Sequence, residues 1–507
     1  MRVALHRTES DCLKSIYDNV MTKEETLELV VPDVCADAGK ILDVRGQLLL
    51  TGQKARANEV HIGASVEATV FYAAEDSGNI QYVLARIPFN ITLPVNGAED
   101  TSKLVSRFEL CALDASLLNP RKLLLRAGIS GRVACYAPDQ FTLWDNLSED
   151  VEAPVHILRK ETEHTLAVGV REKSFVVSDE YRLPAGRDQG AKILSASTGL
   201  CVQDIKSVGN KLVVKAVSTT MAVFMNEADA SLFDYAFSTQ FSQIIEVDTY
   251  GEDLMHQVIL LLRGAEFTSM QDRDNSRFCS ASFQIVAQVI SRKNLCSGYI
   301  ADAYSNKFTL DTETANIKLM KGLPQNPVTL SLHGRLQNRS DICEIIYADV
   351  SALCAEPDSD GVNVSAKVSG IGKNDSGELI PIELRLNAEE SLSLSRNQKA
   401  SLLSIRRDRA LITGTPQSAE FSVDVELGYM VVESDEINTV SGIELPEESP
   451  IKTDARPSLT VICSERDTDI WVLAKKYCST VEIIEKANTV DGEFSVSHRP
   501  LLIPKAT

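Results

Sequence analysis

Strict alternation of apolar and polar residues recurs three times along this 507-residue chain and leaves it little choice of architecture. Val60, Ile62, Ala64, Val66, Ala68 and Val70 form one run, Leu212, Val214, Ala216, Ala222 and Phe224 a second, and Val362, Val364, Ala366 and Val368 a third. Residues two apart on an extended backbone share a face, so each run describes a strand with one side buried and the other wet. A second alternating stretch follows each: Leu123, Leu125, Ala127, Ile129 and Val133; Cys279, Ala281, Phe283, Ile285, Ala287 and Val289; Phe421, Val423, Val425, Leu427, Tyr429 and Val431. In the last of these, Ser422, Asp424 and Glu426 take the outward face.

The runs belong to a repeated unit. Val31-Pro32 and Lys40-Ile41-Leu42 recur as Leu183-Pro184 and Lys192-Ile193-Leu194, both displaced by 152 residues, and Phe89 falls opposite Phe241. The loop Asp76-Ser77-Gly78 returns in the third copy as Asp375-Ser376-Gly377. Turn-like clusters at 75–78, 358–361 and 373–377 separate the strands, so each copy is expected to be an antiparallel sandwich or partial barrel. The period is too long for a solenoid, which makes these tandem domains, over 1–148, 149–292 and 293–432. Leu166 to Tyr181, and Ala301 to Tyr304 onward, are expected to add a strand to the domain that follows each. Ser10 to Glu28 fits helix or strand, with strand favoured by analogy with the second copy. Residues 433–456, acidic and carrying two prolines with a third at Pro457, read as a tether.

The last segment, 457–507, changes period: a short strand from Leu459, two helices, and a strand at Leu501 to Ile503. Asp467 or Thr468 is expected to cap the first helix, whose apolar face is Ile470, Trp471, Ala474 and Tyr477. Val481, Ile484 and Ala487 supply the stripe of the second, with Asn488 as terminator, and Leu501 to Ile503 should pair with Leu459 to Cys463. The fold class is therefore mainly β: three tandem antiparallel sandwich-like domains followed by a small strand-helix-helix-strand module.

A formal charge of −20 repels phosphate backbones and anionic lipid, which argues against nucleic acid or a membrane surface as the main ligand. The first residues carry Glu9, Asp11, Lys14 and Asp18, no secretory apolar run, and no stretch reaches transmembrane length. The eleven cysteines are scattered singly, several of them (Cys111, Cys135, Cys201, Cys279) inside apolar runs, and read as small buried hydrophobes in a reducing cytosol rather than as disulfides or zinc ligands.

The order of the terminal elements resembles a LysM domain. Glu24-Glu25-Thr26 before Val31-Pro32-Asp33, Leu118-Asn119-Pro120-Arg121-Lys122, Val170-Arg171-Glu172-Lys173-Ser174-Phe175 and Ala301-Asp302-Ala303-Tyr304-Ser305 together make the whole chain similar to the SPOCS-domain plus LysM proteins of spore-forming Firmicutes, the SipL-like type. That resemblance implies a spore coat morphogenesis factor on the mother-cell side of the forespore surface, its LysM module gripping the coat-base ATPase. It also implies a groove formed by Asp467, Thr468, Ile470 and Asn488 with Thr489 and Val490 beside them. Trp471 reads either as a core residue of the module or as a ligand platform. Arg466 and His498 stand where the LysM family usually has glycines that let a sugar approach the backbone, which favours protein over glycan.

No catalytic constellation emerges. None of the seven histidines sits at metal-ligand spacing, and Gly370-Ile371-Gly372-Lys373 fails the phosphate-loop spacing and is expected to be a hairpin turn. Arg406-Arg407-Asp408-Arg409 reads as a solvated surface or a partner contact. The expected function is thus a non-enzymatic scaffold without cofactor or metal; the alternative is a cell-wall protein binding peptidoglycan or another N-acetylglucosamine polymer.

Overall fold

The computed structural model describes all residues except 1, 149–153, 184–190, 227–228, 250, 252, 272–276, 337–338, 340, 447–450, 452–456, 464–468, 491–492, 495–499 and 507. It is mainly β, in several separate sheets, with two α-helices near the C-terminus. The first part contributes β1 (Arg2–Val3), β2 (Leu5–Val30), β3 (Ala38–Arg56), β4 (Glu59–Ala74), β5 (Ile80–Pro94), β6 (Lys103–Asn119) and β7 (Lys122–Leu147). The second contributes β8 (His156–Arg182), β9 (Ala191–Val208), β10 (Lys211–Asn226), β11 (Leu232–Glu246), β12 (Leu254–Gln271) and β13 (Arg277–Tyr304). The third contributes β14 (Asp311–Pro324), β15 (Val328–Arg335), β16 (Glu344–Pro357), β17 (Gly361–Lys373), β18 (Leu379–Ser391), β19 (Gln398–Arg407), β20 (Leu411–Thr413) and β21 (Glu420–Glu444).

Each part packs a compact antiparallel sheet, β3-β4-β5, β9-β10-β11 or β16-β17-β18, against a long strand, β7, β13 or β21; β7 and β13 belong to one continuous sheet, β12-β13-β8-β2-β7-β6, joined where Leu13 of β2 meets Ala167 of β8, and β21 centres a second long sheet. The alternating residues face each other across that gap. Val60 to Val70 meet Leu123 to Ile129 in the first core, and Val362 to Val368 meet Phe421 to Leu427 in the third. In the second, Ala222 and Phe224 pack with Phe283 and Ile285, while Leu212 and Val214 pack with Ala287 and Val289. Register repeats as well: Ala64 pairs with Phe89 and Ala216 with Phe241. The matching hairpin turns close on Gly78 and Gly377, whose φ angles of 68° and 81° a side chain disfavours.

Several local expectations are corrected. Ala301 to Tyr304 do not open the third part: they end β13, paired with β8, so 292/293 lies inside a strand. Likewise β21 runs through 432/433 to Glu444, because Asp311 to Pro324 pair along it, and half of the expected tether is strand. Gly370 and Gly372 lie within β17, not in a turn; a Cβ at Gly370 would stand 2.1 Å from the carbonyl oxygen of Tyr347, so close strand approach explains this glycine. Ser10 to Glu28 is strand, paired along β7.

The three parts meet at one junction. Leu42 and Phe71, Leu194 and Val223, and Tyr347 and Ile371 form a single buried cluster to which each part gives two residues. Leu194 follows Leu42 by 152 residues, as Val223 follows Phe71, so the repeat places equivalent positions around a common point. Beside it lies a buried polar network. The Asp43 carboxylate, 4% exposed as a residue, accepts from Arg45 Nε at 2.7 Å, the Tyr347 hydroxyl at 2.9 Å, the Ser369 hydroxyl at 2.5 Å and the backbone N–H of Val44 at 2.8 Å. Arg407 pairs with buried Asp349 at 3.1 Å, and Arg409 pairs with Asp234 of the second part. Of the arginine cluster, Arg409 thus reaches the second part, while Arg407 with Asp349 and Arg406 with Glu426 pair inside the third, so the solvated-surface reading is corrected for Arg407 and Arg409. Burial pushes the Tyr347 hydroxyl well above its usual range, with the Asp43 charge adding to the shift.

First and third parts close on each other through two further links: β1 pairs with the end of β21, and Cys111 is disulfide-bonded to Cys354, Cα–Cα 4.7 Å. The disulfide corrects the cysteine assignment for these two positions. Nothing in the spacing of two cysteines 243 residues apart signals that β6 and β16 come together. Cys135, Cys279 and Cys478 remain buried and outside any disulfide.

Candidate functional site: the terminal module and its seat on the β body

The terminal module comprises β22 (Leu459–Cys463), α1 (Ile470–Tyr477), α2 (Val481–Asn488), β23 (Thr489–Val490), β24 (Glu493–Phe494) and β25 (Pro500–Pro504). β22 and β25 pair antiparallel, Leu459 opposite Pro504 and Cys463 opposite Pro500, in the expected strand-helix-helix-strand order. Its core is Trp471, Leu473, Ala474, Ile484, Leu501 and Ile503, with Ile470, Tyr477 and Val481 packed at the edge. So small a core relies on well-satisfied helix ends. The cap of α1 is Asp469, whose carboxylate accepts from Trp471 N at 2.8 Å. The chain offers three successive capping residues and the helix starts late enough to use the third; Asp467 and Thr468, expected to cap it and to line the groove, lie outside the described residues. Thr480 caps α2 through Ile483 N at 3.2 Å, and α1 ends on Cys478 in the left-handed conformation, φ 55°.

The remaining groove candidates fall into distinct roles. Asn488 is turned inward: its amide donates to Ile484 O at 2.7 Å and Leu502 O at 2.6 Å and accepts from Leu502 N at 2.8 Å, which ties the end of α2 to β25. Both donors of that amide are thus occupied within the module. The Thr489 hydroxyl donates to Glu485 O at 2.7 Å. Ile470 sits at the edge of the core, Val490 forms the short β23 ladder opposite Glu493, and Trp471 is 9% exposed.

Trp471 also reaches beyond the module. Its indole Nε1 donates at 2.8 Å to Asp302 on β13, and Lys475 Nζ, one helical turn on, contacts the same carboxylate at 2.7 and 2.8 Å. Tyr304, two residues along β13, donates its hydroxyl to Ser479 O at 2.9 Å and meets the Trp471 ring edge-to-face at 4.8 Å between centroids. His156 of β8, paired with Tyr304, packs its ring against it at a tilt of 31°, 5.0 Å between centroids.

A β-bulge makes this seat. Ile300 pairs with Arg159 and Asp302 with Leu158, which leaves Ala301 as the extra residue. The bulge shifts the alternation by one, so that Ile300 and Ala303 point into the core formed by the ends of the two long sheets, while Asp302 and Tyr304 point out at the module. Burial raises the Asp302 carboxyl, but the hydrogen bonds from Lys475 and Trp471 outweigh it and leave it below the usual carboxylate range. Burial pushes the Tyr304 hydroxyl up to about 12, with Glu482 and Cys478 adding to the shift, and burial pulls the His156 imidazole down against the opposing effect of Glu482. Sequence reasoning missed Asp302, Tyr304, Lys475 and Ser479 as a group. Ala301 to Tyr304 stood out as a motif, but nothing local pointed to a partner 169 residues away.

A cavity of about 530 Å³ beside the disulfide is lined by Cys111, Cys354, Glu356, Asn363, Ser365 and Glu389 among others. Its polar lining is the carboxylates of Glu356 and Glu389, the amides of Asn363 and Asn387 and the Ser365 hydroxyl. No helix among the described residues is long and apolar enough to cross a membrane.

Repeated packings of antiparallel sheet with an appended helix pair define a mainly β, multi-unit protein. Residues 37–118, which span β3, β4, β5 and nearly all of β6, match the family model described as SipL, SPOCS domain. No curated protein and no solved structure significantly matches the chain.

Proposed function

We propose that this chain is a non-enzymatic scaffold of spore coat or spore envelope assembly, in which three SPOCS-like β units carry a LysM module that grips a protein partner, the coat-base ATPase by family resemblance. The boundary between second and third units then falls after β13, and the tether follows β21. The observation that carries this reading is the SPOCS match over 37–118, within the first of three structurally repeated units. The module's chemistry supports protein over glycan. The amide of Asn488 is occupied internally, and the Trp471 face is met by a carboxylate and a phenol of a β-strand, groups that any protein surface can offer. The proposed setting is the mother-cell cytoplasm at the forespore surface.

Crosslinking and mass spectrometry in sporulating cells, comparing the full chain with one ending at 456, tests it. The expected result is a coat-base ATPase crosslinked to the full chain and lost on truncation. Unchanged recovery would remove the module from the mechanism. Binding of N-acetylglucosamine oligomers that Trp471→Ala abolishes would replace the protein partner by a glycan.

A further inference from the structure

We propose that the face of α1 bearing Trp471 and Lys475, completed by the Ser479 carbonyl, is a recognition surface for an extended protein segment carrying a carboxylate and a phenol two residues apart, and that Asp302-Ala303-Tyr304 occupies it in the resting chain. This rests on the reading that the module engages a protein, and it names both the chemistry of the partner and the contact that must give way.

The complementarity is specific. Two donors of different kinds, an indole N–H and an ammonium, converge on one carboxylate at 2.7–2.8 Å, and a backbone carbonyl accepts the phenol at 2.9 Å. On an extended strand, residues two apart lie about 6.6–6.8 Å from each other on one face. Any strand with the pattern acid-x-tyrosine therefore presents the same pair. The chain presents it only because the Ala301 bulge turns Asp302 and Tyr304 away from the core they would otherwise face. Without that bulge α1 would meet Ala301 and Ala303, which offer neither acceptor nor phenol.

The seat is also built to open. Among the described residues the module shares no ladder with the body, because β22 pairs with β25 and β23 with β24. Side-chain contacts around Tyr304, Leu158 and Trp471 hold it. The Lys475–Asp302 pair is partly exposed, 47% and 33% of the two side chains, and pairs of that kind contribute little against water. A partner strand presenting a carboxylate and a phenol would thus compete on nearly equal terms and lift the module off β13.

The experiment uses the full chain with Trp144→Phe, so that Trp471 is its only indole. The probe is a synthetic peptide covering Tyr299 to Ser305, and the readout is acrylamide quenching of Trp471. In the parent, Trp471 should be shielded and indifferent to the peptide. Asp302→Ala should raise quenching severalfold, and the peptide should restore protection in that variant, whereas a peptide with alanine in place of its aspartate should not. Lys475→Ala should weaken both the resting seat and the peptide's effect. Should Asp302→Ala lose its β circular dichroism, Asp302→Asn, which keeps the shape and removes the charge, takes its place. Equal quenching with and without the Asp302 carboxylate, or protection independent of the peptide's aspartate, overturns the proposal. These readouts need no cellular partner, so their failure is distinguishable from a failure of the crosslinking experiment.

Discussion

Replacing Asp43 by alanine should loosen the junction of the three β units more than any surface change. The Asp43 carboxylate is the shared acceptor for Arg45, Tyr347 and Ser369, three groups that are themselves buried. Its removal leaves the Arg45 guanidinium with the Ser369 carbonyl as its remaining hydrogen-bond acceptor and leaves two hydroxyls without theirs. Breaking a buried charge pair from one side costs about 3–5 kcal/mol, and each orphaned hydroxyl about 1–3 kcal/mol. These losses overlap, since the vacated volume admits water, so a total of about 4 kcal/mol is expected. Urea unfolding of the two chains, followed by circular dichroism and tyrosine absorbance, reads the difference. Asp43→Asn, which keeps an acceptor oxygen but not the charge, should fall between them. The triple change Asp43→Leu, Arg45→Met, Tyr347→Phe should recover much of the loss, because an apolar set of similar volume avoids the desolvation that a charge pair must overcome. If Asp43→Ala costs less than about 1 kcal/mol, the ordinary scale of a point mutation, the network is incidental to the assembly of the units and the reasoning fails.

Two further outcomes follow from the links between distant segments. A non-reducing digest of oxidised protein should contain Cys111 joined to Cys354, and Cys111→Ser should lower stability under oxidising conditions by up to about 5 kcal/mol, the chain-entropy ceiling for so long a loop; parent and variant should converge in reductant, and a difference that persists there would point to packing instead. The seat of the terminal module should weaken on acidification in two steps. The folded-state His156 value is depressed, so its contribution is complete above the unfolded value of about 6.5 and is lost as pH falls below it; that of Asp302, also depressed, is present above about 3.9 and lost as pH falls through its lower folded value. Trp471 quenching in the Trp144→Phe chain monitors both steps, and a seat that loosened on raising pH from 5 to 8 would contradict the sign.

The sequence by itself determined the elements and their faces. Val60 to Val70 and Leu123 to Ile129 alternate, and both sets are buried against each other because period two puts every second side chain on one side of a strand. The repeat carried the register from Ala64–Phe89 to Ala216–Phe241, and the change of period at Ile470 marked the helices, since these are local properties written within a few residues. Where the repeat stopped, so did legibility: the ends of β13 and β21 ran on past the expected boundaries because their partners β8 and β14 lie outside the repeated runs. Only the tertiary structure decided that Asp43 lies against Tyr347, Cys111 against Cys354, Arg409 against Asp234 and Asp302 against Trp471. Each of these joins residues more than a hundred positions apart, and each depends on how three sandwiches close around one point and on a single bulge at Ala301, geometry that no short-range pattern of hydrophobicity encodes.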